Sequence, residues 1–152
     1  MQTSSEFGSS PEVHGDGGCL PVSSKHAVNH EFRLVADRHT ARSARRLTRS
    51  CLGTSYQQVR DDVVLLVSEL VTNAVEHGGP HGPSSAVRLN LVLVDDRVRV
   101  EVTDQNTALP IVGNGDVNSP CGRGLILVER LASRWGVVAG ARGKTVWLEI
   151  AR

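Results

Sequence analysis

Aromatic residues are scarce in this 152-residue chain, with two Trp, two Phe and one Tyr. A core must therefore be built from Val, Leu and Ala, and there are too few aromatic side chains to suit a base-stacking nucleic-acid surface. An excess of one charge is also missing. Seventeen Lys and Arg stand against sixteen Asp and Glu, a net charge of +1, which gives no global electrostatic case for nucleic acid or an anionic membrane. The longest aliphatic run, residues 63–67, is far below the roughly 20 residues a bilayer span needs. The first residues carry Glu6, Glu12 and Asp16 with no apolar block, so a secretory signal is not expected. Cys19, Cys51 and Cys121 are odd in number and lack metal-ligand spacing, as expected of free thiols in a reducing, cytoplasmic setting. The length fits one domain, and no internal repeat is visible.

Residues 1–28 are rich in Ser, Gly and Pro without hydrophobic period, and are expected to form a disordered tail ahead of a domain over 29–152. Phe32, Leu34 and Ala36 alternate as in a short strand. Asp37 can cap a first helix in which Ala44, Leu47 and Cys51 share a face. The opposite face carries Arg38, Arg42, Arg45, Arg46 and Arg49; a solvated face is the simpler account, and docking of an acidic protein the sharper one. Ser55 with Gln58 has the form of a capping box. It opens a second helix that should run to about His77 and stop at Gly78-Gly79, before Pro80. Val59, Val63, Leu66, Leu70 and Ala74 make its core stripe.

The alternating runs 86–94 and 97–104, separated by Asp95-Asp96, predict a β-hairpin with its arginines facing outward. A long loop with Pro110, Gly113, Gly115 and Pro120 leads to a third helix over 124–133. Two strands, "RWGVVAG" and "KTVWLEI", close the chain. The order β-α-α-β-β-α-β-β predicts an α+β two-layer sandwich, a mixed, largely antiparallel sheet with helices on one face.

Three segments carry chemistry. In "SELVTNAVEHGG" the helical spacing puts Glu69 and Asn73 on one side, with Glu76 and His77 one turn on. A carboxylate beside a neutral amide oxygen suits a hydrated Mg²⁺ that shares its shell with phosphates, although the polar flank of an amphipathic helix explains the stretch equally well. In "CGRGL", Gly122 and Gly124 put unpaired backbone N–H groups at a helix start, where an anion is favoured; a plain entry turn would look the same. "VEVTD" ends on Asp104, whose carboxylate can accept a hydrogen bond from an adenine amino group, though strand ends also carry Asp for turn reasons.

Taken in order, S-E-L-V-T-N-A-V-E-H, V-T-D, G-R-G-L and G-K-T-V-W-L-E-I resemble the N box, first glycine box, second glycine box and terminal strand of the gyrase–chaperone–histidine kinase–MutL (GHKL) ATPase superfamily. Within it, the short format and "NAVEHG" are similar to the anti-sigma-factor serine kinases, in particular the stand-alone actinobacterial ones. The resemblance covers about residues 30–152. It implies a Bergerat-type ATP-binding fold with ATP and Mg²⁺ as cofactors. It also implies Asn73 as the magnesium ligand, Glu69 as general base, His77 near the phosphates and Asp104 as the adenine reader. Thr145 would support adenine through water, and Gly122, Arg123, Gly124 and Leu125 would form the second glycine box. The partners implied are a sigma factor and the anti-sigma-factor antagonist that is phosphorylated, with no direct nucleic acid, no membrane, and homodimerisation left open.

One departure bears on function. Where the family's first glycine box reads D-x-G-x-G, this chain has Asp104-Gln105-Asn106-Thr107-Ala108. That favours an alternative, a nucleotide-binding interaction module with little or no kinase turnover. A histidine kinase fragment starting at "HEFR" is rejected, because no room remains between His30 and Glu69 for a dimerisation hairpin. A DNA-binding regulator built on the arginine-rich helix is disfavoured by the near-neutral charge.

Overall fold

Period-two alternation of aliphatic residues builds the sheet, and helical stripes close one side of it. The computed structural model describes residues 12–13, 27–79, 85–108 and 122–152. Its elements are β1 (Glu12–Val13), β2 (Val28–Val35), α1 (Thr40–Leu52), α2 (Arg60–His77), β3 (Ala86–Val94), β4 (Arg97–Asp104), α3 (Gly122–Leu131), β5 (Arg134–Gly140) and β6 (Gly143–Ala151). The strands lie in the order β1-β5-β6-β4-β3-β2. Every neighbouring pair is antiparallel except β1 with β5, where Glu12 and Val13 pair in parallel with Gly136 and Val137. Most of the stretch expected as a disordered tail lies outside the described residues; Val28 already belongs to β2.

One row of the inner sheet face crosses the five longer strands as Phe32, Leu89, Val102, Val146 and Val137. On α2 the expected stripe of Val59, Val63, Leu66, Leu70 and Ala74 is buried and widened by Val64, Val67 and Val71. Ala44 and Leu52 of α1 and Val128 of α3 join the same cluster, so all three helices cover one face of the sheet. Each fully buried Val or Leu contributes about 1.5–3 kcal/mol relative to exposure, which is how a core with almost no aromatics is sustained. The fold class is the predicted α+β one.

Both helix starts differ in detail from expectation. Asp37 acts one turn early: its Oδ1 accepts the His39 N–H at 2.7 Å, and its own N–H donates to Thr40 Oγ1 at 2.8 Å. The first of these bonds is the main cause holding the Asp37 carboxyl below its ordinary value. Ser55 and Gln58 form no capping box. The Tyr56 hydroxyl donates to the Val94 carbonyl at 3.1 Å, with Arg152 over its ring at 5.1 Å. That anchor holds 54–59 as turns, and α2 begins only at Arg60 with Val59 as its cap residue. Asp61 and Asp62 in the first turn then favour the helix dipole.

The hairpin forms in the predicted register, but not all its arginines face water. On the outer sheet face Arg99 lies 4.3 Å over the Trp147 ring and pairs with Glu101 at 2.7 Å and Glu149 at 3.1 Å. The outer face therefore carries its own ionic and aromatic layer.

Candidate functional site

The rotation of α2 follows from its packing. Val63, Val67, Leu70 and Ala74 face the sheet. Arg45 Nη1 of α1 donates to Ser68 Oγ at 2.8 Å, and Thr72, Val75 and Glu76 line a cleft with Ala36, Asp37, Arg38 and Ala41. That flank belongs to α1. At 3.6 residues per turn, Glu69, Asn73 and His77 stand on the opposite flank. Glu69 and Asn73 are half-buried and His77 is exposed at the helix end. Among the described residues neither the Glu69 carboxylate nor the Asn73 amide is engaged in a hydrogen bond or ion pair. Glu76, two turns beyond Glu69, has Oε2 3.8 Å from His77 Nε2 and also lines the cleft against α1.

Two hard oxygen donors one turn apart fit a magnesium ion that completes its shell with water and phosphate. No group of three or more His, Cys, Asp or Glu among the described residues could hold a metal, so any ion there depends on its ligand. Gly122–Leu125 form the first turn of α3. The side chains of Arg123 and Leu125 lie outside the described residues, as do 109–121.

Asp104 closes the inner row of β4, 7% exposed, directly opposite Lys144 of β6. Lys144 Nζ donates to Asp104 Oδ1 at 3.1 Å and lies 3.0 Å from Oδ2, with a longer bond of 3.4 Å to the Asn106 carbonyl. Oδ1 also accepts the Asn106 N–H at 2.8 Å. The following loop is fastened to the end of α2: Gln105 N–H donates to the Gly78 carbonyl at 3.1 Å, and Asn106 Nδ2 to the His77 carbonyl at 2.5 Å. Glycine is required at both seams. A Cβ on Gly78 would run into the Ala74 carbonyl and the Asp104 side chain, and one on Gly143 into the Asp104 carbonyl.

Asp104 and its loop are thus tied to the C-terminal end of α2, one turn beyond Asn73. Thr145 is not. Strand alternation turns it to the outer face, where its hydroxyl lies 2.8 Å from that of Thr103. The residue beside Asp104 is Lys144, which the sequence reading missed. A usable signal was there: with Val146, Leu148 and Ile150 facing inward, period two puts Lys144 on the same side. The donor set at Glu69 and Asn73 fits a magnesium–phosphate group. The Asp104 end is crowded for an adenine, because the Lys144 ammonium lies against both carboxylate oxygens and little of the residue is open.

An antiparallel sheet under three helices, with a carboxylate–amide helix face next to a strand-end aspartate, defines an ATPase-type nucleotide domain of the GHKL class. The chain belongs to the histidine kinase-like ATPase domain family, whose model matches residues 34–150. It is 38% identical over 73 residues to an uncharacterized protein of Streptomyces coelicolor, a match covering 47% of this chain and 68% of that one. A histidine kinase domain from the blue-light activated histidine kinase of Erythrobacter litoralis matches at 27% identity and a TM-score of 0.47, over 61% of this chain. The match spans 44% of that kinase chain. No helix among the described residues is long and apolar enough to cross a membrane.

Proposed function

We propose that this domain is an ATP-dependent serine/threonine kinase of the anti-sigma-factor type, which phosphorylates an anti-sigma-factor antagonist and otherwise holds a sigma factor. The observation that supports this is the unengaged Glu69 carboxylate one turn from Asn73 on the flank of α2 that α1 leaves uncovered. A carboxylate without a competing partner can accept the proton of a serine hydroxyl brought within hydrogen-bond reach. The Asn73 oxygen can share a magnesium ion with phosphates. Exposed Arg42, Arg46 and Arg49 on α1 suit an acidic partner surface. Arg45 is tied to Ser68 and is not part of that face.

The test is incubation of the protein with labelled ATP and its co-purifying cellular proteins. Label should appear on a partner serine, and Glu69→Gln should lower transfer by about a hundredfold or more while Mg-ATP affinity is kept. No transfer by the wild-type protein would refute the kinase. A second reading is a nucleotide-binding interaction module with little or no turnover. It is favoured by the Lys144 contact on Asp104 and by Asn106 and Ala108 where the family carries glycines. ATP-dependent sigma-factor affinity without transfer would decide for it.

A further inference from the structure

Whatever faces the base of a bound nucleotide decides which base, if any, is read. Asp104 is the group that would accept an adenine amino hydrogen, yet its neighbour across the strand pair is an ammonium. We propose that Lys144 makes this site indifferent to the base: its ammonium fills the place beside Asp104 that an adenine amino group would take, and a nucleotide is held by its phosphates and magnesium. The proposal rests on the nucleotide-site reading above.

Three observations carry it. First, the ammonium has three N–H donors and no acceptor, and its contacts are the two Asp104 oxygens and the Asn106 carbonyl. Two of these contacts are hydrogen bonds and the third an ion-pair contact, so the ammonium is turned to Asp104 and Asn106 rather than to a base carbonyl, and a 6-oxo purine gains as little as adenine. Second, both partners are 7% exposed. An amino group reaching Asp104 would have to displace Lys144 and leave a buried charge without its counter-charge. Third, Lys144 has little freedom to withdraw. Its backbone is registered opposite Asp104 at the end of the β4–β6 ladder. The preceding Gly143 packs against the Asp104 carbonyl so closely that no side chain fits there. The loop that would open the other side is held by the Gln105 and Asn106 bonds to the end of α2.

Titration calorimetry on the full chain with Mg²⁺ and ATP, GTP or tripolyphosphate tests this. In the wild type, ATP and GTP should bind within about threefold of each other, and tripolyphosphate within about tenfold of ATP, because the base adds little. Lys144→Thr vacates the space and should create a preference for ATP over GTP of at least about tenfold, roughly what one net hydrogen bond is worth. Lys144→Met keeps the space filled without the charge and should leave the two nucleotides equal. Circular dichroism establishes that each variant is folded, and the wild-type comparison decides the matter even if Lys144→Thr is not. A wild-type preference for ATP over GTP beyond about tenfold, lost in Asp104→Asn, overturns the proposal while leaving the nucleotide site intact. Failure of every triphosphate, and of tripolyphosphate, to bind overturns both.

Discussion

Removing one member of the Asp104–Lys144 pair should cost much more stability than removing both. Each side chain is 7% exposed, so Asp104→Asn leaves a nearly buried ammonium facing a neutral amide, and Lys144→Met leaves a nearly buried carboxylate facing a thioether. Breaking a buried pair from one side costs about 3–5 kcal/mol, a large part of the roughly 5–15 kcal/mol that holds a domain folded. In the double variant no charge is stranded. The amide oxygen introduced by Asp104→Asn can still accept the Asn106 N–H, and the methionine fills the volume of the lysine stem. That variant should lie within about 1–2 kcal/mol of wild type, since apolar replacement of a buried pair is often neutral or better. The coupling energy of the cycle should therefore exceed about 3 kcal/mol. Urea unfolding followed by Trp135 and Trp147 fluorescence measures it. Single variants that each lose under about 1 kcal/mol, and add in the double to within about 0.5 kcal/mol, would refute a buried, mutually dependent pair.

Three further outcomes are expected. The Asp37 carboxyl is held below its ordinary value of 3.8 chiefly by the His39 N–H, so it stabilises the start of α1 above that pH and loses this as pH falls below it; Asp37→Asn should flatten the acid limb of the thermal-unfolding profile, and an unchanged limb would refute the bond. Burial pushes the Cys51 thiol up, so alkylation at neutral pH, mapped by peptide mass, should be slower at Cys51 than for free glutathione; equal rates would refute it. Reversing Arg42 and Arg46 to Glu should slow association with an acidic partner most at low ionic strength, as read by stopped-flow mixing; a salt-independent rate would leave α1 a solvated face.

Local pattern determined most of the scaffold. Alternation in 86–94 and 97–104 fixes which residues meet the helices, because successive strand side chains point to opposite faces whatever the strand pairs with. The α2 stripe was legible from its helical period of about 3.6 residues, and with it the flank that carries Glu69 and Asn73. Tertiary structure decided the rest. The Ser55–Gln58 box was overridden by a hydrogen bond from Tyr56 to Val94, a partner far along the chain. Arg99, on the outer face as expected, is covered there by Trp147 and Glu149 of another strand. Thr145 and Lys144 were separable by alternation, but that Lys144 would meet Asp104 depended on the register of β6 against β4. That register is set by how the Val98, Val100 and Val102 row packs against Ile150, Leu148 and Val146. A one-residue slip of β6 would turn Val146, Leu148 and Ile150 out of the core, so the cost of exposing that aliphatic row is what holds the lysine on the aspartate.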